Sequence, residues 1–256
     1  MILQEPATSN FDLHFKLLRV PVRVHPGFWI TSVLLNLGPQ IDPLAFALDI
    51  AAVFISILVH EFGHALASRY FGERHNSVIL YSMGGLCVHG DLDAKRWPQI
   101  WILLWGPFAG FILGGILFGV RYALYRASVN VPEVLDGAII YAIFINLIWG
   151  LVNFVPVFPL DGGQIMRAIL IWNPSWAGEL RTFTLSAIVG GVTAVLALAL
   201  HLRFGTGLLT PIFFGALAYQ NFQLRRQMLA MGEYGYREHN PPREAWEQDA
   251  DWWKKK

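Results

Sequence analysis

The chain has 256 residues, 55% of them apolar and 14% charged, where soluble domains run at roughly 45–50% and 25%. That imbalance argues against an ordinary soluble globule. Its 19 Lys and Arg against 18 Asp and Glu leave a net charge of +1, so neither the basic excess of a nucleic-acid binder nor an acidic disordered tail is indicated.

Taken in order, Met1 to Asp12 lacks the basic start, short apolar core and cleavage site of a signal peptide, and none is expected. Residues 13–26 (LHFKLLRVPVRVHP) alternate basic and apolar side chains around Pro21 and Pro26, which predicts a short strand or an interfacial segment. Long stretches free of Asp, Glu, Lys and Arg follow: 18 residues between Arg23 and Asp42, 24 between Arg96 and Arg121, and 24 between Asp136 and Asp161. Two more are 19 residues between Arg181 and His201 and 21 between Arg203 and Arg225. About 20 apolar residues cross a ~30 Å hydrocarbon core as a helix. The stretch from Leu44 to Phe71 is as long, but carries Asp49, His60, Glu61, His64 and Arg69.

These lengths predict an all-α polytopic membrane protein with about six transmembrane helices, near 27–41, 44–71, 97–120, 134–155, 182–201 and 207–225, the first short and oblique. Residues 77–92 (SVILYSMGGLCVHGDL) are β-branched and glycine-punctuated, which predicts a small β-hairpin or re-entrant strand region. Non-helical backbone at membrane depth is tolerated only inside protein or against a wet cavity, so a cavity is expected here. One membrane-embedded domain over 1–225 and a polar cytoplasmic tail over 226–256 account for the chain. Sixteen Lys and Arg fall on one side of these spans against three (Arg121, Arg126 and Arg203) on the other, which places both termini in the cytoplasm. The one cysteine, Cys87, reads as a packed thiol.

The chemistry sits in the second span, at His60-Glu61-Phe62-Gly63-His64. Residues four apart share a helix face, so two imidazoles can bind one Zn²⁺ while Glu61 reaches the water that the metal activates. From composition, this H-E-x-x-H pattern arises by chance in only about 0.01 chains of this kind. Ionisable groups inside a span each cost at least ~2.5 kcal/mol, and a metal gives three of them a reason to cluster there. Two histidines and a water leave a tetrahedral zinc one protein ligand short. Asp161 is the best candidate: Pro156 and Pro159 block continuous helix before it, and Gly162 and Gly163 permit close backbone approach behind it. Alone, Asp-Gly-Gly reads as an ordinary turn.

HEFGH at 60–64 and NFVPVFPLDGG at 153–163 together resemble the site-2 protease family of intramembrane zinc metalloproteases, with support from Gly84-Gly85 and from Gly106-Pro107-Phe108-Ala109-Gly110. The resemblance covers most of the chain through the fourth span and is to a compact form with no room for an inserted PDZ or CBS domain. It implies a three-span catalytic core (about 44–71, 97–120 and 134–155), one Zn²⁺ per chain, His60, His64 and Asp161 as ligands, and Glu61 as general base. It also implies that Asn153 holds the substrate or the oxyanion; the plainer reading is a polar residue bonded between helices.

The function expected is hydrolysis of peptide bonds within or near transmembrane segments, with a membrane-anchored protein as substrate, the lipid bilayer as partner and no nucleic acid. A transmembrane substrate must unwind locally, and residues 77–92 could receive it by edge pairing, with Gly84 and Gly85 allowing close approach. A plasma membrane location follows from resemblance alone. The rival readings are a catalytically silent scaffold, disfavoured by Glu61, and a metal transporter, disfavoured because the donors cluster at one depth. His25, His75 and His89 lack ligand spacing to a second donor. The glycines at 106, 110, 114 and 115 read as helix-packing positions, and Trp29, Trp97, Trp172 and Trp176 as interfacial anchors.

Overall fold

The proline-marked segment 13–26 forms an antiparallel pair, β1 (Leu13–Leu17) and β2 (Val20–Val24), in a computed structural model that describes residues 6–37, 42–73, 76–88, 96–171, 175–205 and 207–239. Val20, Val22 and Val24 alternate inward and are buried, while Pro21 sits at an exposed position. The turn between the strands places both Leu18 (φ 49°) and Arg19 (φ 63°) in the left-handed region. Arg69 holds it, donating from its two terminal nitrogens to the Leu18 and Arg19 carbonyls at 2.6 Å each.

The segment expected as a hairpin is one: β3 (Ser77–Tyr81) and β4 (Gly84–Val88) pair antiparallel, with Tyr81 opposite Gly84. It does not stand alone. β2 pairs with β3 in parallel, Val22 opposite Val78, which makes one sheet of order β1-β2-β3-β4. A parallel pair needs a long crossover, supplied by α1 (Pro26–Asn36) and α2 (Pro43–Tyr70). The core of this region packs the valines of β2, with Val78 and Leu80, on Phe28 of α1 and on Leu58, Phe62 and Ala65 of α2. Cys87 is packed against this cluster.

The chain divides into two compact units, residues 1–153 and 154–256. The first holds the sheet, α1, α2, α3 (Arg96–Arg126) and α4 (Glu133–Asn153). Pro43 at the first turn and the Asp42 side chain, accepting from the Leu44 N–H at 3.0 Å, start α2. Asn146 of α4 donates to Ser56 of α2 at 2.8 Å, and Arg121 of α3 pairs bidentately with Asp136 of α4 at 2.7 and 3.0 Å. The second unit holds α5 (Asp161–Leu170), α6 (Trp176–Phe204) and α7 (Leu209–His239), with an Arg167–Glu179 ion pair joining α5 to α6.

Six spans were expected, and four helices among the described residues are long and apolar enough to cross a membrane: α2, α3, α4 and α6. The other two differ for separate reasons. α1 has 11 residues, about 16 Å of helix, too short for a ~30 Å core. α7 has length, but Gln220, Asn221, Gln223, Arg225, Arg226 and Gln227 interrupt its apolar run, and its backbone leaves helical geometry at Gly232 (φ 69°). On α3 and α6, Ile112, Ile116, Phe118, Val192, Val195 and Leu196 all point outward, as a lipid-facing surface requires. Trp97 is exposed at the start of α3, as an interfacial anchor would be, whereas Trp29 stacks on Phe54 at 5.3 Å and Trp176 donates to the Met228 carbonyl at 3.0 Å. His75, His89, Trp172 and residues 240–256 of the polar tail lie outside the described residues.

Candidate metal centre

His60, Glu61 and His64 occupy the middle of α2, on its buried face with Ser56, Ile57 and Ser68. Local geometry alone brings the two imidazoles together, one turn apart, with their Nε2 atoms 3.3 Å from each other. Two nitrogens each 2.0–2.1 Å from one tetrahedral zinc stand about 3.3–3.4 Å apart, so the pair fits a zinc ion without rearrangement. The His64 ring is also oriented: its Nδ1–H donates to the Ile102 carbonyl of α3 at 2.8 Å. That bond fixes the tautomer and leaves Nε2 as the free-electron-pair nitrogen, the usual arrangement of a ligating histidine. Pro107, inside α3, has no N–H to donate to the Leu103 carbonyl of the preceding turn.

The neighbours of this turn are glycines because nothing larger fits. A Cβ on Gly106 would lie 2.1 Å from His64 Nε2, and one on Gly85 would lie 2.2 Å from Glu61 Cγ. Strand β4 therefore lies flush against the Glu61 side chain. Gly84 has φ +119°, a conformation that L side chains rarely adopt, and a Cβ there would also press on the Trp149 ring at 3.1 Å. Burial, and then the Glu61 carboxylate, push the Tyr81 phenol above its ordinary pKa.

In the second unit Asp161 is the first residue of α5, and it is buried. A helix N-terminus favours its negative charge. The two glycines behind it let the first turn of α5 settle on the preceding loop: a Cβ on Gly162 would meet the Phe154 carbonyl at 2.3 Å, and one on Gly163 the Phe158 nitrogen at 2.3 Å. His60 and His64 in the first unit and Asp161 in the second are each buried, and each offers an atom of the kind that ligates zinc.

Residues 48–139 match the model of Peptidase family M50. The resemblance to the site-2 protease family is borne out. A zinc metalloprotease of Methanocaldococcus jannaschii is 27% identical over 192 residues, 74% of this chain and 53% of that protein. Stage IV sporulation protein FB of Bacillus subtilis is 28% identical over 152 residues, 58% of this chain and 47% of that protein. The chain thus spans about half the length of these curated relatives. A solved structure, the site-2 protease from Methanocaldococcus jannaschii, shares the fold: TM-score 0.57 at 24% identity, covering 82% of this chain and 95% of that one.

Some residues hold positions that site-2 protease motifs do not announce. The carbonyl of Ile102 and the bare face of Gly106 hold His64, and no spacing rule connects residues 38 and 42 positions away to a histidine. Asn153, the last residue of α4, is buried and its Nδ2 donates to the Trp149 carbonyl at 2.9 Å. The Trp149 indole N–H is buried without a hydrogen-bond partner among the described residues, beside Gly84. His25 caps α1 through Nδ1, which accepts from the Gly27 N–H at 3.0 Å. Gly110 and Gly114 lie close to Asn146, whereas Gly115 has open space around it.

Proposed function

We propose that this chain is a zinc-dependent endopeptidase that cleaves membrane-anchored proteins within or near their transmembrane segments. The observation that carries it is the α2 turn: two imidazoles spaced for one zinc, with a carboxylate between them against a sheet strand. The zinc-metalloprotease relatives and the four apolar helices support it. His60, His64 and Asp161 serve as the ligands. A zinc held there supplies Lewis-acid polarisation of the scissile carbonyl and makes a bound water acidic.

The chain's own residues do the rest. Glu61 takes a proton from the attacking water and delivers it to the leaving amine. β4, the outer strand of the described sheet, pairs its free edge with the unwound substrate, and Gly84 and Gly85 let the substrate backbone approach Glu61. Asn153 holds the substrate or the developing oxyanion. Residues 1–225 act as one membrane-embedded domain, with α1 lying obliquely and α7 completing six membrane segments; the tail beyond and the N-terminus face the cytoplasm, at the plasma membrane.

The test is a single-span reporter protein, incubated with purified wild type and with Glu61→Gln, alongside measurement of bound zinc. Zinc near one per chain is expected in both, with cleavage reduced at least ~10²-fold in the variant, as for loss of a general base. Cleavage surviving Glu61→Gln would remove Glu61 from its role, and cleavage insensitive to chelators would remove the metal. A zinc-loaded wild type that cleaves nothing would favour the silent scaffold.

A further inference from the structure

Phe154 to Leu160, the segment that leads into Asp161, has no regular structure; Val157 is fully buried and Leu160 nearly so, Pro156 is exposed and the rest are half-buried. Pro156 and Pro159 contribute no N–H, and every remaining backbone polar group must be satisfied within the protein. Two bonds form within the segment, from the Val157 N–H to the Val155 carbonyl at 2.7 Å and from the Leu160 N–H to the Val157 carbonyl at 2.9 Å, and the Pro159 carbonyl accepts from Gln164 Nε2 at 3.0 Å. Phe158 is served from outside. Its N–H donates to Ser186 Oγ of α6 at 3.0 Å, and its carbonyl accepts from Asn221 Nδ2 of α7 at 2.5 Å.

Both side chains are at 0% exposure; Ser186 lies between Leu185 and Ala187 of α6, and Asn221 between Gln220 and Phe222 of α7. Polar groups buried this way are costly unless bonded, and both bond the backbone of one residue, Phe158, three residues before Asp161: Ser186 at the peptide group before it and Asn221 at the one after. The first turn of α5 rests on the peptide group that Ser186 bonds, since a Cβ on Gly163 would meet the Phe158 nitrogen at 2.3 Å. The Phe158 ring packs edge-on to Phe183 of α6 at 5.7 Å.

We propose that Ser186 and Asn221 are positioning residues for the metal: they clamp the two peptide groups that flank the Phe158 Cα and so determine where Asp161 is presented. This rests on Asp161 being a ligand, and it gives α6 and α7 a part in metal binding. Loss of the clamp frees the loop and loosens the carboxylate, without touching either histidine.

The experiment measures zinc affinity of the full chain in detergent by chelator competition, with the melting temperature of the metal-free protein recorded alongside. Ser186→Ala and Asn221→Leu should each weaken zinc binding by about 10-fold or more, the usual effect of removing a group that orients a ligand. Ser186→Thr, which keeps the hydroxyl, should bind as wild type. Combined with Asp161→Ala, neither substitution should weaken binding further, because the carboxylate it positions is gone. Unchanged affinity in Ser186→Ala and Asn221→Leu, with Asp161→Ala impaired, overturns the clamp; so does equal weakening in the Asp161→Ala background. Should Asn221→Leu fail to fold, Ser186→Ala, a change of one hydroxyl, carries the test. If Asp161→Ala itself binds zinc as wild type, the ligand reading fails and the clamp goes with it.

Discussion

Gly106 and Gly85 touch the two halves of the same chemistry, and substituting each separates them. Gly106→Ala puts a methyl group 2.1 Å from His64 Nε2. The ring must turn away from the Ile102 carbonyl and from His60, so zinc affinity should fall by ~10- to 100-fold, as for other disturbed ligand orientations. Gly85→Ala puts its methyl group 2.2 Å from Glu61 Cγ instead. Here zinc should stay bound while cleavage falls, by at least ~10-fold for a displaced general base. Chelator competition and reporter cleavage on the same two preparations check both, and a loss of zinc in Gly85→Ala equal to that in Gly106→Ala would contradict the division of roles.

Among the elements, the β1–β2 turn and the β4 edge make different demands. Leu18 and Arg19 hold positive φ although neither is glycine, a strain of order 1–3 kcal/mol per residue that the Arg69 guanidinium offsets through the two carbonyls. Arg19→Gly should therefore raise the melting temperature, and Arg69→Met should lower it, with a stability loss of ~1.5–3 kcal/mol, the range for hydrogen bonds to a charged group. A calorimetric scan of both variants decides; a lower melting temperature in Arg19→Gly means the turn is not strained. At the other end of the sheet, Gly84→Val with Gly85→Val should block an incoming strand and impair cleavage while leaving zinc in place. Turnover equal to wild type would argue that substrate does not add to β4.

For the whole molecule, the charge distribution predicts which ends are accessible from which side. In a background with Cys87→Ala, a membrane-impermeant thiol reagent applied to intact cells should label Ser128→Cys, in the α3–α4 connection, and spare Glu233→Cys, near the end of α7. Labelling of Glu233→Cys but not Ser128→Cys would reverse the orientation.

Much of this protein is written locally. The four-residue spacing in HEFGH is enough to put His60 and His64 on one face, because a helix repeats every 3.6 residues; the 3.3 Å between their Nε2 atoms also needs the ring orientation that the Ile102 carbonyl fixes. The Val20-Val22-Val24 alternation, the hairpin at 77–88 and the apolar length of α2, α3, α4 and α6 are equally legible. Span number was less so, because a count of uncharged residues takes no account of where α1 starts and stops or how many amides and glutamines line α7. What only the tertiary structure decided are contacts between distant residues: β2 beside β3 in parallel, Gly85 against Glu61, Gly106 and Ile102 against His64, Ser186 and Asn221 on Phe158. A glycine or a serine in an apolar helix reads the same whether it faces lipid or a catalytic side chain. Which it faces depends on helix rotation and strand register, and those are set by the packing of the whole core, not by neighbours in the chain.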